Sequence, residues 1–343
     1  MVKENGFYAG PNEKDFISKE ELEDKGRIQV FPDKKERKLE FEEVSDYLMK
    51  GREIMEGFSI GQKEAKWRSY GEYPQLPIMI YLMTDVHYGS FNSDVARFKE
   101  HMDIVENTPN FFVVGNGDDV DNFNATLGRM ASGMYENPLP PQIQGRSLVQ
   151  RISKLERKGK VGVMSFGNHN DFCKGAGQDW YDTFLGQMDC PIFNTGGLLR
   201  IEVNGGQKYD LAMTHRYWGT SKLNPTNACK RFMEHEYPEA DVIFLGHTHQ
   251  SEGLHFERGG KDRVAVIGGT FKQEDDWART KGIGGRPGSP GWVVALWGDG
   301  RKMQLFKDVR LARDAMLNSI FALEKSDDWQ PAYNEIAKQQ EDI

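Results

Sequence analysis

Asp85 and His87 stand two residues apart at the end of an apolar run, Ile78-Met79-Ile80-Tyr81-Leu82-Met83. Side chains alternate along extended chain, so residues two apart point the same way. One carboxylate and one imidazole can therefore reach a common point, which is the beginning of a metal site. Alone the pair is a weak signal, since a strand end with polar residues in water reads the same. Four further strand-like runs end in the same residue types. Phe111–Val114 leads to Asp118, Val161–Phe166 to Asn168 and His169, Tyr209–Met213 to His215, and Asp241–Leu245 to His247 and His249. Of the 8 histidines, only His101, His235 and His255 fall elsewhere, where they read as structural or surface residues.

Carboxylate, imidazole and amide oxygen together suit Mn²⁺, Fe or Zn²⁺ better than a thiolate-seeking ion. The set suggests two divalent ions rather than one: Mn²⁺ first, with Fe, Zn²⁺ or Ni²⁺ as alternatives. A shared carboxylate could hold them about 3.5–4 Å apart, which fits phosphoryl hydrolysis. Such a pair can lower the pKa of bound water from about 15.7 toward neutrality and so supply hydroxide as nucleophile.

The elements that must position these groups alternate. After the first strand, Ser93 or Asp94 can cap a helix carrying Val95, Phe98, Met102 and Val105. Helices are also expected over 146–158, over 177–188, from Pro225 to Tyr237, and from about 309 onward. Further strands are expected at 198–203, 264–267 and 292–297, and a Gly-, Pro- and Arg-containing loop at 278–291. Strands alternating with helices predict an α/β sheet, whose ligands bind beyond the carboxyl ends of the strands. Residues 1–75 are polar and poor in strand-like runs, so they read as an extension, with an amphipathic helix over 40–57. The main domain is expected over 76–310, followed by a polar helical tail, 311–343.

Composition narrows the class. The chain has 343 residues, 38% hydrophobic and 28% charged, which suits a soluble protein with a large core. A net charge of −8 argues against whole-surface attraction to nucleic acid, though a local patch is compatible with it. Cys173, Cys190 and Cys229 show no CxxC spacing, as expected of buried thiols in a reducing compartment. The first residues lack the apolar core of a signal peptide, and no apolar run approaches membrane-spanning length. A cytoplasmic location is the expectation, with no membrane partner.

Asp85-Val86-His87, Gly117-Asp118-Asp119-Val120-Asp121, Gly167-Asn168-His169, His215 and Gly246-His247-Thr248-His249 occur in that order. The set resembles the signature of the calcineurin-like metallophosphoesterases. The resemblance implies two packed mixed β-sheets flanked by helices. It implies one metal held by Asp85, His87, Asp118 and His249, and a second by Asp118, Asn168, His215 and His247, with Asp118 bridging. It places His169 near the leaving-group oxygen, as general acid or transition-state stabiliser. Many members carry an acidic residue directly after GNH. Here Asn170 stands there and Asp171 follows, so either Asp171 orients His169 or a neutral amide does.

The activity implied is phosphoester hydrolysis, with a phosphodiesterase acting on a nucleotide or small diester as the leading reading. A DNA-end nuclease and a non-catalytic scaffold are the alternatives; the complete ligand set weighs against the scaffold. Arg216, Asn170 and Asp171 are the residues proposed for substrate contact, though Arg216 reads equally well as a surface salt bridge. Asp121 is either a support for a ligand or a helix cap. Asp119 reads as solvated, and Asn116 as part of a turn. Tyr217 and Trp218 could stack on a base or belong to the core. The basic stretch 146–160 reads as a solvated helix face ahead of a phosphate contact. Arg279, Lys281 and Arg286 lie on a loop that could close over substrate or be a plain surface turn.

Overall fold

The computed structural model describes residues 45–46, 49–50, 63–122, 137–170, 187–194, 196–273 and 288–325. Contacts divide the chain into two units, Met1–Ser59 and Ile60–Ile343, and the fold described here is that of the second. Of the helix expected over 40–57, residues 45–46 and 49–50 are described and are helical. The helix expected near 177–188, Asp171, Cys173 and the loop cations Arg279, Lys281 and Arg286 lie outside the described residues, apart from 187–188.

Two six-stranded mixed sheets carry the fold. One has the order β12-β11-β2-β3-β4-β5, built from β2 (Ile78–Met83), β3 (Phe111–Asn116), β4 (Val161–Ser165), β5 (Ile192–Phe193), β11 (Val293–Leu296) and β12 (Met303–Phe306). Strands β2 to β5 are parallel, and β11 and β12 join antiparallel. The other has the order β1-β6-β7-β8-β10-β9, from β1 (Glu64–Ser69), β6 (Gly197–Val203), β7 (Lys208–Thr214), β8 (Val242–Leu245), β9 (Ser251–Arg258) and β10 (Lys261–Gly268). Here β7, β8 and β10 are parallel. The sheet begins at Glu64, inside the stretch that reads as an extension.

The alternation of β2 explains the layering. Ile78, Ile80 and Leu82 face Leu199, Leu211, Phe244 and Val264 of the second sheet, forming the core between the sheets. Met79, Tyr81 and Met83 face outward, onto α1 (Val95–Asn107), α2 (Pro141–Glu156) and α4 (Val309–Glu324). A strand apolar on both faces must be covered on both. The second sheet is covered by α3 (Asn227–Glu236), whose Ala228, Cys229, Phe232 and Met233 meet Leu198, Ala212, Ile243 and Ile267. Asp94 caps α1 as expected, accepting from the Arg97 amide at 3.0 Å. Helix α2 starts five residues earlier than its sequence pattern suggests, because Pro141 occupies the first helical position.

His101 on α1 is fully buried, with Nδ1 3.2 Å from the Tyr81 hydroxyl. Burial, aided by the Arg97 charge, lowers its pKa from 6.5 to about 4. The folded state therefore holds it neutral while the unfolded chain protonates it. The stability tied to this group is complete above its unfolded pKa and is lost as pH falls toward about 4. Between pH 7 and pH 5 the native chain should lose about 2 kcal/mol more than His101→Gln, read from denaturant midpoints.

The basic stretch 146–160 is tied inward. Lys154 and Lys158 each lie 2.8 Å from the Glu106 carboxylate, and Arg151 pairs with Glu106 and with Asp103 at 2.7 Å. Lys160 donates to the carbonyls of Val105 and Thr108. These cations lock α2 and its following turn to α1.

Candidate metal centre

Five strands, β2, β3, β4, β7 and β8, deliver their carboxyl ends to one edge of the inter-sheet core. Beyond β2 and β3 the two chains stay joined, the Asp85 amide donating to Gly117 O and the His87 amide to Asp118 O. Eight non-glycine residues have positive φ among the described residues. Three are asparagines, which tolerate that region. The other five are Asp85, His87, Asp118, His247 and His249. Each such conformation costs about 1–3 kcal/mol and persists only where the surroundings impose it. The strain is concentrated on the residues that the sequence pattern singles out.

Two groups result. Ligand atoms of Asp85, His87 and His249 lie within 4.8 Å of one another, as do those of Asp118, His215 and His247. In the first, Asp85 Oδ2 sits 2.7 Å from the Thr84 hydroxyl and accepts from the His247 amide at 2.9 Å. Its Oδ1 has no hydrogen-bond partner and faces His249 Nε2 at 3.3 Å and His87 Nε2 at 3.8 Å. In the second, His215 Nδ1 donates to Asn116 O at 2.7 Å. Its Nε2 approaches Asp118 Oδ2 at 2.9 Å without hydrogen-bond alignment. Asn168 Oδ1 is likewise buried without a partner. Ligand-type atoms gathered this closely, three of them without a hydrogen-bond partner, are arranged for a shared cation. The donor set fits divalent metal ions.

Electrostatics agree. Burial works against a charged Asp85, yet the charge of His215 and the nearby rings of His249 and His87 hold its carboxyl well below the usual range. Asp118 is held low too: burial opposes, and the charges of His215 and His169 outweigh it. The same carboxylates raise His87 and His215 to about 9, against burial; Asp121 does most for His87 and Asp118 for His215. A cluster this negative that retains protons would exchange them for a cation.

Residues 78–251 match the calcineurin-like phosphoesterase family. The chain belongs to that family. Members act by metal-dependent phosphoester hydrolysis, and the chain is read accordingly as a metal-dependent phosphoester hydrolase. No curated protein matches the chain. Among solved structures it is similar to the calcineurin-like phosphoesterase YfkN from Bacillus subtilis, at 14% identity and TM-score 0.33, covering 77% of this chain and 100% of that one. It is similar to a metallophosphoesterase from Sphaerobacter thermophilus, at 12% identity and TM-score 0.32, covering 71% and 94%. It is also similar to Zn²⁺-complexed Vps29 from Entamoeba histolytica, at 10% identity and TM-score 0.32, covering 67% and 98%.

In this phosphoesterase, His169 lies beside the first group. Its ring meets that of His87 edge-on at 4.6 Å, and its amide donates to Asp118 Oδ1 at 2.8 Å. A Cβ on Gly167 would fall 2.2 Å from that same Oδ1, so only glycine lets the loop carry His169 this close. Ring Nδ1 donates to the Asp121 carbonyl at 2.6 Å. A main-chain carbonyl thus engages Nδ1, while Asp171, one of the two holders the sequence suggests, lies outside the described residues. The Asn170 amide is not the holder. It folds back, Oδ1 accepting from the Gly167 amide at 2.5 Å in a local turn. Burial pushes the His169 pKa down to about 4. Arg216 stands exposed on the rim of a cleft of about 240 Å³ shared with Phe166, Asn168, Asn194 and His215, and makes no ion pair among the described residues.

Supporting residues complete the centre. Asp121 accepts from His87 Nδ1 at 2.8 Å, from Asn137 Nδ2 at 2.7 Å and from Lys272 Nζ at 3.0 Å. It therefore supports His87, fixing which ring nitrogen faces the cluster. Lys272, buried beyond the end of β10, was not singled out by its sequence context. Asn116 does more than serve a turn: its Nδ2 donates to Thr214 O at 2.9 Å and Phe244 O at 3.2 Å, tying β3 to β7 and β8 across the two sheets. Asp119, expected in water, is fully buried, and neither carboxylate oxygen has a hydrogen-bond partner among the described residues. The positive φ of Asp118 turns the next residue inward. Burial, reinforced by the Asp118 charge, raises its pKa to about 7.

Proposed function

We propose that this chain is a two-metal phosphodiesterase. The observation that carries the reading is the adjacency of two donor groups, with Asp85 Oδ1, Asn168 Oδ1 and His215 Nε2 buried without a hydrogen-bond partner and His169 beside them. Asp85, His87, Asp118 and His249 would hold one ion; Asp118, Asn168, His215 and His247 would hold the other. Mn²⁺ is the first choice on donor type. When bound, the ions supply charge to activate water and to neutralise phosphoryl oxygens.

The remaining work falls to protein groups. Arg216 borders the cleft and can pair with one phosphoryl oxygen. A single guanidinium matches the single charge of a diester better than the double charge of a monoester. His169 faces the leaving oxygen with Nε2 while Nδ1 stays on the Asp121 carbonyl. Its donation from Nε2 requires the protonated ring, which burial disfavours in the free protein. The phosphate anion, once bound, favours that form, so the acid is prepared by the substrate itself.

The test compares bis(4-nitrophenyl) phosphate with 4-nitrophenyl phosphate. Hydrolysis should favour the diester, fall by roughly 10³-fold or more in EDTA, and return with Mn²⁺. A preference for the monoester would remove the diesterase reading. Hydrolysis untouched by EDTA would remove the metal assignment as well.

A further inference from the structure

The chain leaves β7 at Thr214 and, past His215, turns over α3. Tyr217 and Trp218, adjacent in sequence, part company there. Tyr217 packs against Phe232 at 5.0 Å and joins the core under α3. Trp218 lies on the helix surface and is 56% exposed. Beneath it sit Arg231, with its guanidinium carbon 4.7 Å from the ring centre, and His235, at 5.5 Å and inclined by 37°. Those two residues are four apart on α3 and so share one face. The turn that carries the indole is fitted to this seat. Gly219 has φ +86, and a Cβ there would lie 2.9 Å from Arg231 Cδ.

An indole held from below with its other side in water is a preformed stacking surface. Its surroundings narrow the occupant. From His215 to Arg231 the chain carries Arg216, Lys222, Lys230 and Arg231 and not one carboxylate, in a protein of net charge −8. Two carboxylates that approach this stretch are engaged: Glu236 accepts from the Tyr217 hydroxyl and Glu252 from the Thr226 amide. Three residues of extended chain span at most about 11 Å, so the backbone of Trp218 stands within that reach of the His215 backbone. Aromatic surfaces interleaved with cations beside a phosphodiester site fit a base whose own backbone phosphates enter the cleft.

We propose that Trp218 is a stacking platform for a nucleobase, and that the diester taken by this site belongs to single-stranded nucleic acid. The platform extends the phosphodiesterase reading above, on which the substrate assignment rests. Arg231 and His235 set the tilt of the indole, Arg216 and Lys222 attract the backbone, and the base stacks on the open face.

The test is equilibrium binding of a short fluorescein-labelled oligothymidylate to the full chain in EDTA, which keeps the strand intact. Trp218→Ala should weaken binding roughly five- to hundredfold, the range seen when one stacked base loses its aromatic partner. Trp218→Tyr should restore it to within about threefold, because tyrosine keeps the π-face. An abasic strand of equal length should bind native chain and Trp218→Ala alike. The proposal is overturned if Trp218→Ala binds oligothymidylate like the native chain, if it weakens the abasic strand equally, if tyrosine does not restore binding, or if the native chain does not bind at all. Diester hydrolysis alongside any of those results would leave the catalytic reading standing. Trp218-dependent binding without diester hydrolysis would reject the catalytic reading and keep the platform.

Discussion

Asp118→Asn should bind fewer than one ion per chain where the native protein is expected to bind two, and should lose diester hydrolysis by about 10³-fold or more. The substitution is close to isosteric, which makes it informative. Asp118 Oδ1 accepts from the His169 amide, and an asparagine oxygen can do the same. Placed so, its NH₂ points at His215 Nε2, where the carboxylate Oδ2 now lies at 2.9 Å. The fold and the position of His169 are thereby kept. What changes is one negative charge at the point shared by both proposed ion sites. Removing a charged ligand costs affinity at both sites if it bridges, and at one if it does not. Metal analysis by mass spectrometry therefore reads the bridge directly. Retention of one tightly bound ion in Asp118→Asn would show that Asp118 belongs to a single shell. Retention of both would remove it from the metal centre.

How much of this was visible beforehand depends on the range of each interaction. The seven proposed metal ligands were legible because each sits just past a strand and carries a lone pair of the right type. Strand ends of a parallel array converge whatever the loops do. Asn116 was not legible as a brace. Its partners, Thr214 and Phe244, are about a hundred residues away in sequence and lie in the other sheet. Lys272 carries no periodic or motif signal, and only the fold brings it to Asp121. Asp119 misled because a charged residue beside a motif normally faces water. The left-handed backbone at Asp118 reverses that, and no local pattern announces it. Strand β9 is half exposed and lacks an apolar run. Its hairpin was nevertheless marked: Gly259-Gly260 lies between paired Arg258 and Lys261, and both glycines have positive φ. Two glycines between strands are a readable sign that the sequence reading passed over. Trp218 shows the reverse limit. Its type and that of Tyr217 suit stacking and core alike, and only burial separates them.

His169→Gln should lower kcat by about 10²–10⁴-fold while leaving two ions bound. The two effects separate because His169 touches the centre only at its margin. Its ring Nδ1 is committed to the Asp121 carbonyl, and its Nε2 lies 4.0 Å from Asp118 Oδ2. The link to Asp118 runs through the His169 main-chain amide, which any residue supplies. Glutamine keeps that amide and can place an NH₂ on the Asp121 carbonyl, but it has no proton to give to a leaving alkoxide. The deficit should therefore track the leaving group. It should be largest for an alkyl or nucleoside diester, whose oxygen needs a proton, and smallest for a nitrophenyl ester, whose phenolate leaves without one. Measuring both substrates on native and variant chains checks the role without reference to stability. An equal loss on both would make His169 a stabiliser of the phosphoryl group and not the acid. Loss of metal in His169→Gln would place it among the ligands.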